Sequence, residues 1–366
     1  MSRLMSADFN FTLKPGQSSR LVIIENSMAR DTRDLPFILL TAIEEELQRV
    51  VAEVRRPGVE EMYLMLAYHM GWEGEGAGPD ARGKRIRPLL VLLAASAAGG
   101  QWQHALPAAA AVELVHNFSL IHDDIQDQSS LRRGRPTVWQ RWGAAQAINA
   151  GDTLFSLAQL TLLRLRETVS LEVALRASRI LQETCLSLTQ GQHLDMAYQE
   201  RGDLSLDAYW PMVNGKTAAL FSACTHLGAL VAQAPQPICD SYRKFGHHLG
   251  LAFQAQDDLL GIWGDEATTG KSSESDLLTG KKSLPILYGL SRIGPFAARW
   301  AQGPITFTEI PATAAQLEAE GARAYTCECA KTLTERALQN LQDANPQGAA
   351  KEALVKLTKR LSSRQA

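Results

Sequence analysis

The chain reads as an all-α protein, and three observations predict it. From Leu35 onward, Ala- and Leu-rich segments recur with their apolar residues at helical spacing. Alternating β-branched runs are almost absent. The Gly-, Pro- and Ser-rich interruptions fall between these segments rather than inside them. At 366 residues, 45% hydrophobic and 21% charged, the chain can bury a large core.

Residues 1–35 come first. Their Ser, Gly and Pro content marks an extension ahead of a helical domain spanning 36–366, and "RLVIIEN" within it is one short candidate strand. Helical segments then alternate with breaks at "GWEGEGAGPDARGKRIRP", "QSSLRRGRP", "AYQERGDLS", "AQAPQP", "GIWGDEATTGKSSESDLLTGKKSLP" and "QGPITFTEIP". A net charge of -2 gives no global reason to bind nucleic acid or an anionic membrane. Five sparse cysteines without metal-ligand spacing suit reduced thiols, and no stretch reaches a membrane span, so a cytoplasmic protein is expected.

The helix ending in "LIHDDIQD" carries the first chemistry. Glu113, His116, Ser119, Asp123 and Asp127 are spaced 3, 3, 4 and 4, which makes one stripe on an otherwise apolar helix, with Asp124 at its flank. The stripe predicts a polar edge facing a hydrated cavity. Carboxylates at i, i+1 and i+4 repel one another and raise each other's pKa, so they favour a divalent metal; an oxygen-only set points to magnesium. A second acid pair, Asp257 and Asp258, ends "LAFQAQDD", with Gln254 one turn earlier. Cations lie close by in sequence: Lys84 and Arg87 in "GKRIRP", expected on one helical face, Arg132 and Arg133 after the first acids, Lys216 in "GKTAALF", and Lys271, Lys281 and Lys282 after the second pair. Singly these are ordinary surface residues. Together they describe a polyanion site, with cations gripping one diphosphate and carboxylate-held magnesium another.

The ordered series "GKRIRP", "LVHNFSLIHDDIQDQSSLRRGRPT", "AGDTLFSLA", "GQHLDMA", "GKTAALF", "LAFQAQDDLL" and "GKKSLP" resembles the trans-isoprenyl diphosphate synthases, or polyprenyl synthetases, over roughly residues 40 to 360. The resemblance implies a single helical bundle of the isoprenoid synthase type around a deep central cavity. It also implies a homodimer that joins isopentenyl diphosphate to an allylic diphosphate. Carried over, it assigns Lys84, Arg87, His116 and Arg133 to isopentenyl diphosphate, and Arg132, Lys216, Lys271 and Lys281 to the allylic diphosphate. Asp123, Asp127 and Asp257 become magnesium ligands, supported by Asp124 and Asp258. Thr217 and Gln254 turn oxygen dipoles toward the allylic cation, and the segment from Gly264 to Gly280 is a candidate lid.

One position departs from the family's second DDxxD motif, which here reads "DDLLG" and ends in Gly261. Either the second wall works with two acids or allylic binding is weakened, and on that basis Gly261→Asp is expected to tighten it. A break in the helix just after Gly261 is also expected. Chain length is read from Phe118, the fifth residue before Asp123, and from Ser119: an aromatic followed by a small residue resembles the geranylgeranyl-forming type, with the farnesyl product second. Two other functions fit the motifs less well. A class I terpene cyclase has no use for "GKRIRP" and "RRG", and a non-catalytic prenyl-binding homologue is suggested only by Gly261.

Overall fold

A computed structural model describes residues 35–264 and 276–362. Among them, twelve helices have eight or more residues: α1 Leu35–Ala52, α2 Glu60–His69, α3 Ile86–Ala97, α4 Leu106–Gln126, α5 Ala144–Leu163, α6 Leu171–Gln199, α7 Ala219–Val231, α8 Gln236–Trp263, α9 Leu284–Ser291, α10 Ile310–Ala319, α11 Ala322–Asp343 and α12 Gly348–Ser362. The all-α expectation is met. The candidate strand "RLVIIEN", with the rest of 1–34, lies outside the described residues, as do 265–275, which take in Lys271 and most of the expected lid.

α4 is the centre of the assembly and packs against α5, α3 and α1. Its early run Ala108, Ala109, Ala110 and Ala111 is buried on every side, because methyl groups let neighbouring backbones close in from all directions. α7 packs on α3 and α8, and α8 on α11. α7 contacts both acid-bearing helices, α4 and α8. The expected break after Gly261 is corrected only slightly: α8 continues through it to Trp263 and stops at the extended residue Gly264.

Among the described residues the one sheet is a tight hairpin, β1 Leu131–Arg132 against β2 Arg135–Pro136, with Arg132 opposite Arg135. Its two loop residues, Arg133 and Gly134, have φ of 54° and 72°. Positive φ at both positions matches the right-handed twist of the strands. The consequence is functional: the turn throws Arg132 and Arg133 in opposite directions.

Candidate active site

Asp123, Asp124 and Asp127 lie at the C-terminal end of α4, where the macrodipole is negative, so this cluster needs compensating cations; Asp257 and Asp258 lie more than a turn inside α8. Asp127 closes α4, its N–H donating to the Asp123 carbonyl. Asp124 is buried, and Arg132 Nε donates to both its oxygens at 2.9 Å while Nη2 stands 2.7 Å from Oδ1. Arg133 points away, donating from Nη1 to the Ala81 carbonyl at 2.9 Å. Its guanidinium lies against Gly83, where a Cβ would stand 2.6 Å from Nη2. Only glycine leaves that room, so the "GKRIRP" turn and the hairpin are fitted to each other.

Within that turn the expected helical face is not formed. α3 begins at Ile86, after Arg85 in the left-handed region, so Lys84 lies outside the helix and is exposed. Arg87 is on the helix. Its Nη1 stands 3.2 Å from His116 Nε2, and its guanidinium lies 4.9 Å from the centre of the Phe221 ring. Burial, reinforced by Arg87, Arg133 and Arg132, holds the His116 pKa well below the usual histidine range. The ring is therefore neutral at pH 7, and because arginine can only donate, Nε2 accepts and Nδ1 carries the proton. Arg85 turns inward, its Nη1 2.9 Å from Glu113 Oε1 and its Nε 3.1 Å from Glu44 Oε2. The predicted polar stripe is corrected here: Glu113 is buried in this ion pair and does not face a hydrated edge.

The second wall is assembled on α8. Thr217 Oγ1 donates to Gln254 Oε1 at 2.7 Å, and Gln254 Nε2 donates to Asp258 Oδ1 at 2.8 Å. Tyr209 Oη and the Leu284 N–H fill Asp258 Oδ2 at 2.8 and 2.9 Å. Burial pushes the Asp258 carboxyl up to about 6, against the pull of Lys281. Lys216 and Thr217 sit in a π-helical turn, Asn214–Ala218, whose Gly215 meets Gly191 of α6 with no room for a Cβ on either. That close approach brings Lys216 Nζ onto Asp195 Oδ2. Asp195 lies in "GQHLDMA" and Arg85 in "GKRIRP", so a charge inside each of these segments was the available signal for both; Tyr209 gave none.

Two cations join the walls. Lys216 acts on Asp123 and Asp127 of α4 and pairs with Asp195 of α6. Burial works against the Lys281 charge but is outweighed by Asp276, Asp258, Asp257 and Asp195, so its pKa is raised; the same ammonium also acts on Asp127. Lys282 turns elsewhere, 4.8 Å from the centre of the Trp300 ring. Phe118, at the flank of α4, packs edge-on against Phe155 of α5 at 5.1 Å and His122 at 5.7 Å. The Ser119 hydroxyl donates to the His116 carbonyl.

The acids fall into two groups. Asp124 and Asp258 are engaged by protein donors, whereas the side chains of Asp123, Asp127 and Asp257 accept no hydrogen bond from any described residue. Burial pushes Asp123 up to about 6, opposed by Lys216 and aided by Asp127. No three acids, histidines or cysteines among the described residues surround one point as a ready metal site. The donor chemistry nevertheless fits magnesium, which takes few protein carboxylates and keeps waters or phosphate oxygens for its other positions.

Comparison with known proteins agrees with this geometry. The polyprenyl synthetase family model matches residues 78–299. The chain is 43% identical over 274 residues to (2E,6E)-farnesyl diphosphate synthase of Mycobacterium tuberculosis, covering 72% of this chain and 75% of that protein. It is 40% identical over 305 residues to a geranylgeranyl diphosphate synthase of the same organism, covering 81% and 85%. A polyprenyl synthetase structure from Streptomyces coelicolor A3(2) superposes with a TM-score of 0.79 at 37% identity, over 88% of this chain and 96% of that one. A geranylgeranyl pyrophosphate synthase from Corynebacterium glutamicum, complexed with isoprenyl diphosphate and magnesium, gives 0.78 at 27% identity, over 92% and 100%.

Proposed function

Because the chain belongs to the polyprenyl synthetase family, we propose that it is a magnesium-dependent trans-prenyltransferase. It condenses isopentenyl diphosphate with allylic diphosphates, geranylgeranyl diphosphate being the favoured product and farnesyl diphosphate the second. The observation that carries this is the division of the acids: three carboxylates from two helices accept no hydrogen bond from the described residues, beside cations able to grip diphosphate.

Asp123, Asp127 and Asp257 hold magnesium, which when bound neutralises charge on the departing diphosphate. Asp124 and Asp258 act from behind: Asp124 orients Arg132, and Asp258 fixes Gln254 and, through it, Thr217. Arg132, Lys216, Lys271 and Lys281 grip the allylic diphosphate. Lys84, Arg87, His116 and Arg133 grip isopentenyl diphosphate, with neutral His116 held by Arg87. As the allylic C–O bond breaks, the Thr217 and Gln254 oxygens stabilise the positive carbon. The isopentenyl double bond then forms the new C–C bond, and the proton lost goes to the released diphosphate, so no side-chain base is needed.

Phe118 and Phe155 form the floor on which elongation stops. Leu160 and Leu163 of α5 and Leu171, Leu175 and Leu186 of α6 are all exposed, an apolar band that a second copy covers in a homodimer. Sedimentation at micromolar concentration tests that assembly, and a monomer there rejects it. No helix among the described residues is long and apolar enough to cross a membrane. All five cysteines are unpaired, which supports a reducing, cytoplasmic setting.

The test is incubation with isopentenyl diphosphate and dimethylallyl, geranyl or farnesyl diphosphate, with magnesium or with a chelator, followed by product chromatography. A twenty-carbon limit product that requires the metal is expected. Folded protein that yields no product from any primer overturns the proposal.

A further inference from the structure

The geometry points to Asp276 as the third carboxylate of the second acid wall, delivered from outside α8 into the space that Gly261 leaves open; the inference rests on the function proposed above. Position 261 lies one helical turn beyond Asp257 and therefore on the same face of α8. A Cβ built at Gly261 would stand 2.6 and 2.9 Å from the two oxygens of Asp276 and 2.7 Å from its Cγ. In an aspartate the carboxylate oxygens lie ~2.4 Å from their own Cβ, by ordinary bond lengths. The Asp276 oxygens are thus almost as close to that point as the oxygens of an aspartate at 261 would be. Asp276 opens the short helix Asp276–Thr279, and the Lys281 N–H donates to its carbonyl at 3.1 Å, so it is fixed to the same turn that presents Lys281. Its charge acts on Lys281 and Tyr209, as do those of Asp257 and Asp258, and it also acts on Asp258.

Two consequences follow. Gly261 is a fitted residue, because any side chain there strikes the Asp276 carboxylate. The sequence-based expectation for Gly261→Asp is accordingly reversed: a second carboxylate in that space collides with Asp276 and repels it. The one feature that suggested a non-catalytic homologue also loses its force, since the chain keeps three acids on this wall.

The experiment measures Mn2+ binding by electron paramagnetic resonance in the presence of a non-reacting allylic thiolodiphosphate, with circular dichroism melting as the check on folding. Asp276→Asn and Gly261→Ala should each weaken Mn2+ about tenfold or more, the range for removing a group that supports a metal site. Gly261→Asp alone should weaken it as well. The transplant Gly261→Asp with Asp276→Gly should recover most of the affinity. If any single variant fails to fold, the transplant decides, its recovery supporting the inference and its failure overturning it. Wild-type affinity in Asp276→Asn and Gly261→Ala, or tighter binding in Gly261→Asp alone, also overturns it. Asp123→Asn and Asp257→Asn separate the two levels of argument. If these weaken Mn2+ while Asp276→Asn does not, only the role of Asp276 falls; if they too bind normally, the two-walled site falls and the inference with it.

Discussion

Replacing Arg85 with methionine should destabilise the protein more than any surface charge change and should selectively impair isopentenyl diphosphate binding. The guanidinium spans α1 and α4: Nε is 3.1 Å from Glu44 Oε2, Nη1 is 2.9 Å from Glu113 Oε1, and Nη2 donates to the Met70 carbonyl at 3.1 Å. The Arg85 and Glu113 side chains are only 4% and 3% exposed. Methionine fills similar volume but leaves Glu113 charged and buried, with Asn117 as its remaining donor. Breaking a buried pair in this way costs about 3–5 kcal/mol, which lowers Tm by roughly 4–7 °C in a chain of this size. Arg49, 45% exposed and paired with both Glu53 and Glu46 at the surface of α1, supplies the contrast, since solvent-screened pairs of this kind contribute roughly 0–1 kcal/mol each. Arg85 also holds a left-handed turn between Lys84 and Arg87, at a conformational cost of ~1–2 kcal/mol that the ion pair offsets. Arg85→Met should therefore raise KM for isopentenyl diphosphate by about tenfold or more while KM for the allylic substrate moves little. Scanning calorimetry beside Arg49→Met, with both KM values, is the assay. Equal melting of the two variants, or equal shifts in both KM values, would rule out this role for Arg85.

Three further outcomes are expected. Phe118→Ala should lengthen the product distribution and Ser119→Phe should shorten it, read by chromatography; Phe118→Ala also opens a cavity beside Phe155 at a cost of about 3–5 kcal/mol in the melt. Metal affinity, measured by calorimetric titration across pH, should fall as pH drops through about 6, where the Asp123 carboxyl takes a proton that magnesium must displace. The same raised pKa means that protonated Asp123 stabilises the metal-free fold fully below its unfolded value of 3.8, and that this contribution is lost as pH rises through about 6. The magnesium-induced rise in Tm should therefore be largest above pH 6; a rise independent of pH would dismiss the role given to Asp123.

Much of this architecture is written locally in the chain. Helical periodicity over "AAAAVELVHNFSLIHDD" is enough to build α4 and to set Asp123 and Asp127 on one face. The neighbouring residue, Asp124, is turned by about 100°, and the same geometry explains why it meets Arg132 behind the cavity. What stayed hidden depends on contacts between distant segments or on unusual backbone. Lys84, Arg85 and Arg87 look alike as cations, and only the left-handed turn at Arg85 sends it into Glu113 while Lys84 leaves the helix. Thr217 meets Gln254 through a π turn that no apolar period announces. Gly261 reads as a defect until Asp276, fifteen residues on, is found filling its space.

In the function proposed above, Asp123 and Asp127 at the end of α4 and Asp257 on α8 each contribute to holding the magnesium ions that activate one diphosphate. The most direct test of this claim is turnover at saturating isopentenyl and allylic diphosphates in Asp123→Ala, Asp127→Ala and Asp257→Ala, each paired with a melt of the metal-free protein. Turnover should fall by orders of magnitude in all three. The metal-free melt should hold or rise in Asp123→Ala and Asp127→Ala, because removing either acid relieves repulsion at the negative end of α4. Near-normal turnover in any one of these variants, with the fold intact, would contradict the claim.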